Sequence, residues 1–177
     1  MCLDTFLTPR ILAERLSNEH WLDLRRMDED ERFMEFLGGA RDEAATQGYL
    51  DRNLAHWAEH GYGLWMLRKR DTGAVLGRAV LRHLNLDGVD EVETGYGFFP
   101  EFWGQGLATE IAQACVRIGR EQLRLPSLVG ITVPANSESQ RVLRKVGLEF
   151  ERNIVHDGLA CMLFRTGMPP DGVSPIE

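Results

Sequence analysis

The sequence predicts a mixed α/β fold in one domain, on three observations. Hydrophobic periodicity is helical over Arg41 to His60 and Leu107 to Leu125 but has period two between Tyr62 and Phe99. A hairpin signal, Asp71-Thr72-Gly73, joins two of the strand-like runs. The 177 residues contain no internal repeat, low-complexity tract or linker, which suits one core rather than two.

Taken in order, Arg10 to Leu16 alternates as a first strand, with Pro9 tolerated at its start. Ser17 or Asn18 can cap a helix beginning near Glu19, and a second helical piece, DEDERFMEF, is stopped by Gly38 and Gly39. The helix over Arg41 to His60 carries Leu50, Leu54, Trp57 and Ala58 on one face and ends at Gly61. Tyr62 to Lys69, Ala74 to His83 and Val89 to Phe99 form a three-strand meander that Pro100 stops. A helix over Leu107 to Leu125 and a short apolar strand, Leu128 to Val133, follow. Ser137 to Val146 is a short helix closed by Gly147, with Ser137 and Gln140 fitting a capping box. Two strands around Asp157-Gly158 complete the domain, and the Pro- and Gly-rich tail, 167–177, is expected to be loose.

Composition narrows the class. A net charge of −7 and pI near 5.3 give no basic stripe for phosphate neutralisation, so nucleic acid is not an expected partner; acidity suits a basic or amine partner. No apolar run approaches the ~20 residues a bilayer span needs. Met1 to Arg10 contains Asp4 and no apolar core, so it does not read as a secretory signal, and a cytoplasmic protein is expected. Cys2, Cys115 and Cys161 form no CxxC and no metal-like cluster with the five histidines, and Cys115 sits on an apolar helical stripe.

Three segments can carry chemistry. Phe102-Trp103-Gly104-Gln105-Gly106-Leu107-Ala108-Thr109-Glu110 joins a strand to an apolar helix. Its glycines leave backbone N–H groups unobstructed and the helix start adds partial positive charge, a combination suited to a pyrophosphate or to a plain tight turn. The Gly-Lys-Ser/Thr of a P-loop is absent, and the acidic residue of a dinucleotide fold is missing near Leu125 and Pro126. In the strand before the loop, Glu91, Glu93, Gly95 and Gly97 share one face, with two bare positions where a ligand could lie against the backbone. Glu93 is either an acid–base group or a solvated charge, with Glu91 its rival. Finally, Ser139 falls on the helix face of Val142, Leu143 and Val146, and Asn136 can cap that helix or face a ligand.

The order of these parts resembles the GNAT superfamily of N-acetyltransferases, and WGQGLATE with NSESQRVLRKVGLEFER is similar to its RimJ/RimL-type branch, over roughly residues 8 to 166. That resemblance implies a central, mostly antiparallel sheet of six to seven strands flanked by about four helices. It implies acetyl-coenzyme A as co-substrate, with Trp103 to Thr109 at the pyrophosphate: Gly104, Gln105, Gly106, Leu107 and Ala108 would cradle it through backbone amides. Phe98 and Phe99 would pair their backbone with the pantetheine, and Asn136 would contact the same arm. Glu93 stands at the position of the branch's proposed general base, and Ser139 at that of a serine proposed to protonate the leaving thiolate. The sequence departs from the family's usual pattern at Trp103, where Arg or Gln is common, and at Leu143, where many members carry a general-acid tyrosine.

The expected reaction is direct acetyl transfer to a primary amine, of a protein N-terminus or a small molecule, within a ternary complex and without a metal, since no cysteine or serine has an adjacent activating histidine. The alternative is a catalytically weak coenzyme A-binding sensor. A monomer or homodimer is expected, and acceptor selectivity is assigned to the N-terminal helical segments and the last strand pair.

Overall fold

The computed structural model describes residues 3–167. Two short strands, β1 (Thr5–Leu7) and β2 (Ile11–Arg15), lead through a 3₁₀ turn into α1 (Trp21–Glu29), α2 (Glu31–Met34) and α3 (Glu43–His60). The meander β3 (Leu64–Lys69), β4 (Val75–Leu86) and β5 (Val89–Phe98) follows, then α4 (Leu107–Arg117), β6 (Val129–Thr132), α5 (Ser137–Lys145) and the hairpin β7 (Leu148–His156) and β8 (Leu159–Thr166). All eight strands form one sheet in the order β1-β2-β3-β4-β5-β6-β8-β7, antiparallel except where β5 meets β6.

Among the described residues β1 adds an eighth strand to the expected six or seven, and the helices number five where about four are expected. At three residues β1 is too short to show alternation, and its pairing with β2 (Thr5↔Glu14, Leu7↔Leu12) alone defines it. The helix expected to reach Leu125 ends its α-helical part at Arg117 and continues as one π turn, Ile118–Gln122, with the Leu123 N–H bonded to the Ile118 carbonyl at 3.0 Å. Within this turn Gly119 lets Leu128 pack close, because a Cβ there would lie 2.7 Å from Leu128 Cδ1. The capping box expected of Ser137 and Gln140 does not form: Asn136 is the cap, accepting from the Ser139 N–H at 3.0 Å, while Gln140 Nε2 donates to the Pro134 carbonyl. The tail beyond Gly167 lies outside the described residues.

The main core lies where the sheet is covered on both faces. Leu64, Trp65, Met66 and Leu67 of β3 are all fully buried, so period two fails there and a continuous apolar run replaces it. Both buried indoles in this layer are satisfied, Trp65 Nε1 by the Leu3 carbonyl (2.8 Å) and Trp57 Nε1 by the Leu64 carbonyl (2.9 Å). Cys115 packs in the same core, where burial pushes its thiol up to about 12, consistent with an inert side chain.

The crossover from β5 through α4 to β6 positions the site. β6 runs parallel to β5 but pairs with it only at Glu93↔Val129, and from Thr94 to Phe98 β5 pairs with β4 alone. The two strands diverge past Glu93, leaving a wedge in the middle of the sheet.

Candidate active site

The wedge opens into a cavity of about 520 Å³ whose walls come from α3, β4, β5, the start of α5 and the β7–β8 hairpin. Glu93 and Ser139, 46 residues apart in sequence, both line it, as do Asn136 and Leu143. Glu93 is buried rather than solvated, and Arg82, its direct cross-strand partner, donates to Oε2 through both Nε and Nη2 at 2.8 Å. The charge of Glu93 is the main reason the Arg82 guanidinium is held above its ordinary range. Glu91, on the same strand face, is gripped at both oxygens by Arg165 at 2.8 and 2.9 Å and does not line the cavity.

The bare face at Gly97 is not open to a ligand. A Cβ there would lie 2.9 Å from Phe33 Cζ and 3.1 Å from Leu37 Cδ1, so the glycine makes room for the helical layer above it. Gly95 does line the cavity. Phe98 and Phe99 have core side chains, which leaves only their backbones for a ligand. The Phe99 N–H donates to Leu76 of β4, so alternation turns the backbone groups of Phe98 and Tyr96 toward the wedge. The Phe98 carbonyl is already taken by Trp103 Nε1 at 2.7 Å, a departure from free pairing of that residue.

Trp103 to Gly106 forms a turn open to solvent, and Leu107 to Thr109, the first of them buried, begin α4. Gly104 (φ 71°) and Gly106 (φ 76°) occupy the left-handed region, nothing lies within 4 Å of a Cβ at Gly104, and Gly106 starts α4 without a side-chain cap. That uncapped start leaves first-turn N–H groups for an anion. The turn is braced from behind. Arg10 Nη1 donates to the Gln105 carbonyl at 2.8 Å, while Glu110 accepts from the Thr8 hydroxyl (2.6 Å), the Arg10 backbone N–H (2.8 Å) and Arg10 Nε (2.7 Å). Burial works to raise the Glu110 pKa, but these donors and the Arg10 charge outweigh it and hold it below its ordinary value.

Sequence reasoning missed Tyr96. Its hydroxyl lies 3.3 Å from Ser139 Oγ and 3.5 Å from the Ser139 carbonyl, and burial pushes its pKa up to about 12, so it is a neutral donor at ordinary pH. It also missed the arginines around the cavity. Arg78 and Arg82, four apart on β4, share a face, but only the register with Glu93 gives that spacing meaning. His56 and His83 reach the cavity with their rings committed: His56 Nε2 accepts the His83 N–H (3.0 Å) and Nδ1 meets the Tyr62 carbonyl, while His83 bridges Tyr62 and Asp90.

A family model described as an acetyltransferase (GNAT) domain matches residues 10–149. The structure is similar to an acetyltransferase from Agrobacterium tumefaciens, at TM-score 0.82 and 26% identity over 93% of this chain and 94% of that one. It also resembles RimL, a ribosomal L7/L12 alpha-N-protein acetyltransferase in complex with coenzyme A, at TM-score 0.75 and 13% identity over 92% and 97%. In sequence the chain is 30% identical to an FsC-acetyl coenzyme A-N(2)-transacetylase of Aspergillus fumigatus over 154 residues, covering 81% of this chain and 64% of that protein. The chain belongs to the GNAT family and is an N-acetyltransferase.

Proposed function

We propose that this chain moves the acetyl group of acetyl-coenzyme A directly to a primary amine in a ternary complex, with Glu93 accepting the amine's proton and Ser139, backed by Tyr96, protonating the departing thiolate. One observation carries the reading: the diverging strands place a buried carboxylate and a hydroxyl pair in the walls of one cavity. The open glycine turn and uncapped start of α4 fit a pyrophosphate, and the wedge-facing backbone of Tyr96 and Phe98 fits an amide-bearing arm. Acetyl-coenzyme A supplies the activated thioester.

The chain's own groups then have distinct tasks. Arg82 holds Oε2 of Glu93, which orients Oε1 as the proton acceptor. A wedge-facing N–H near Phe98 donates to the developing oxyanion, a contact worth ~3 kcal/mol in comparable sites. The amine nitrogen forms a bond to the thioester carbon as its proton passes to Glu93. The carbon–sulfur bond breaks and the thiolate takes the Ser139 proton, which the Tyr96 hydroxyl replaces; Tyr96 regains a proton from solvent as Glu93 releases the amine's proton to solvent. Leu143, buried in this wall, offers no tyrosine for that step.

The test is thiol release from acetyl-coenzyme A across a panel of amines, with Glu93→Gln beside the native chain. The variant is expected to bind coenzyme normally and to lose ~100- to 10,000-fold in rate near neutral pH. Part of that rate returns at alkaline pH, where free amine is abundant. Coenzyme binding with no thiol released by any amine would establish the sensor reading instead; a Glu93→Gln variant as fast as the native chain would leave deprotonation to bulk water.

A further inference from the structure

The cavity is electrically polarised in a protein of net charge −7. Arg41, just before α3, and Arg78 of β4 share a single buried carboxylate, Asp28 of α1, at 3.0 and 2.8 Å. Asp28 is wholly buried and Arg78 nearly so, and the second amino group of Arg78 reaches only the thioether of Met34, at 3.3 Å. A sulfur is a poor acceptor for a guanidinium, so this donor is under-used. Both guanidinium groups lie over the Tyr49 ring, at 4.5 and 4.7 Å. Arg52, on the same α3 face, has no carboxylate within ion-pair distance among the described residues, and it too lines the cavity. Two guanidinium groups thus share one carboxylate, and a third, exposed one lines the same cavity. Burial and then the Arg78 charge depress the Arg41 pKa, the electrostatic sign of the same surplus. Around Glu93 the balance reverses, with Glu93 and Asp157 against Arg82.

Resting on the acetyltransferase reading above, we infer that the acceptor is an amine that also carries an anionic group, the amine directed to Glu93 and Asp157 and the anion to Arg52, Arg41 and Arg78. A surplus of partly desolvated guanidinium charge is costly until an anion reaches it, and a planar fork matches a carboxylate. The same surplus repels a polycation, so polyamines are poor substrates.

The experiment uses unbranched ω-amino acids from glycine to 6-aminohexanoate, each with its amide, together with spermidine, 2-aminoethylphosphonate, and the tripeptide amides Asp-Ala-Ala and Ala-Ala-Ala. Thiol release gives kcat/KM, and calorimetry on the coenzyme A-saturated protein gives affinity. At least one free acid, the phosphonate or the acidic peptide is expected to exceed its uncharged counterpart by about 10- to 100-fold. The winning arm separates a free amino acid, a phosphonate and an acidic protein N-terminus as the source. Arg52→Glu, an exposed position that does not threaten the core, is expected to abolish the preference while KM for acetyl-coenzyme A stays unchanged; Arg41→Gln moves it the same way. Amides or spermidine matching the anionic amines, or a preference that survives Arg52→Glu, overturns the inference. If no amine releases thiol, the transferase reading fails by itself. Acid-over-amide binding that Arg52→Glu removes would still support the anion site, and its absence would overturn that as well.

Discussion

Ser139 and Tyr96 form the contact on which the leaving-group step depends, and their geometry makes them separable from coenzyme binding. Ser139→Ala and Tyr96→Phe should each lower kcat with little change in coenzyme affinity. If the two hydroxyls act as one relay, the double variant should be no slower than the worse single. Multiplicative losses in steady-state kinetics would show that they act independently. Glu110 yields a prediction of a different kind. Its folded pKa lies below the ordinary 4.5, so its contribution to stability is present above that value and disappears as pH falls through the folded pKa. Glu110→Gln should therefore have a lower urea midpoint near neutrality, with the two proteins converging once the pH has fallen below the folded pKa of Glu110. A gap that stays constant through the acid range would show that the Thr8 and Arg10 contacts do not depend on the charge.

Glycines decide how closely the elements approach. A Cβ at Gly130 would lie 2.6 Å from Leu143 Cδ2 and 3.2 Å from Leu148 Cδ2, so Gly130→Ala would push α5 off β6. Overpacking of this kind costs about 1–3 kcal/mol. Because α5 carries Ser139, turnover should fall along with Tm; a stable but slow variant would separate placement from packing. Most elements were readable in sequence because each announces itself locally: Gly61 (φ 71°) ends α3, and Asp71-Thr72-Gly73 turns β3 into β4. The glycine turn was equally local. The site's other half was not. Tyr96 meets Ser139 across 43 residues, and period two placed it on the face away from Glu93, with no sign that the strand pair beyond it separates. Gly97 misled for the complementary reason, since an absent side chain looks the same whether a ligand or Phe33 fills the space. Asp28, Arg41 and Arg78 come from α1, the segment before α3 and β4, and their convergence is a property of the packed molecule.

For the molecule as a whole, acetyl-coenzyme A should act as a stabiliser. At a hundredfold excess over Kd, binding selective for the folded state adds about 2.7 kcal/mol, or roughly 5–11 °C in Tm for a chain of this size. Gly106→Trp, which fills the turn before α4, should abolish the shift, and a shift of native size in that variant would remove the pyrophosphate assignment. Mechanically, β5 and β6 pair at a single position, Glu93 and Val129, so the sheet is two plates, β1 to β5 and β6 to β8, joined at that position and by the Glu91–Arg165 ion pair beside it. Whatever occupies the wedge becomes the glue between them. Amide exchange should then be faster in β6 and β8 than in β3 and β4 of the free protein, and acetyl-coenzyme A should slow the smaller plate most. Exchange rates already matched before the coenzyme is added would mean that α4, α5 and the Glu91–Arg165 pair weld the plates, and that the chain holds its jaws rigid without anything between them.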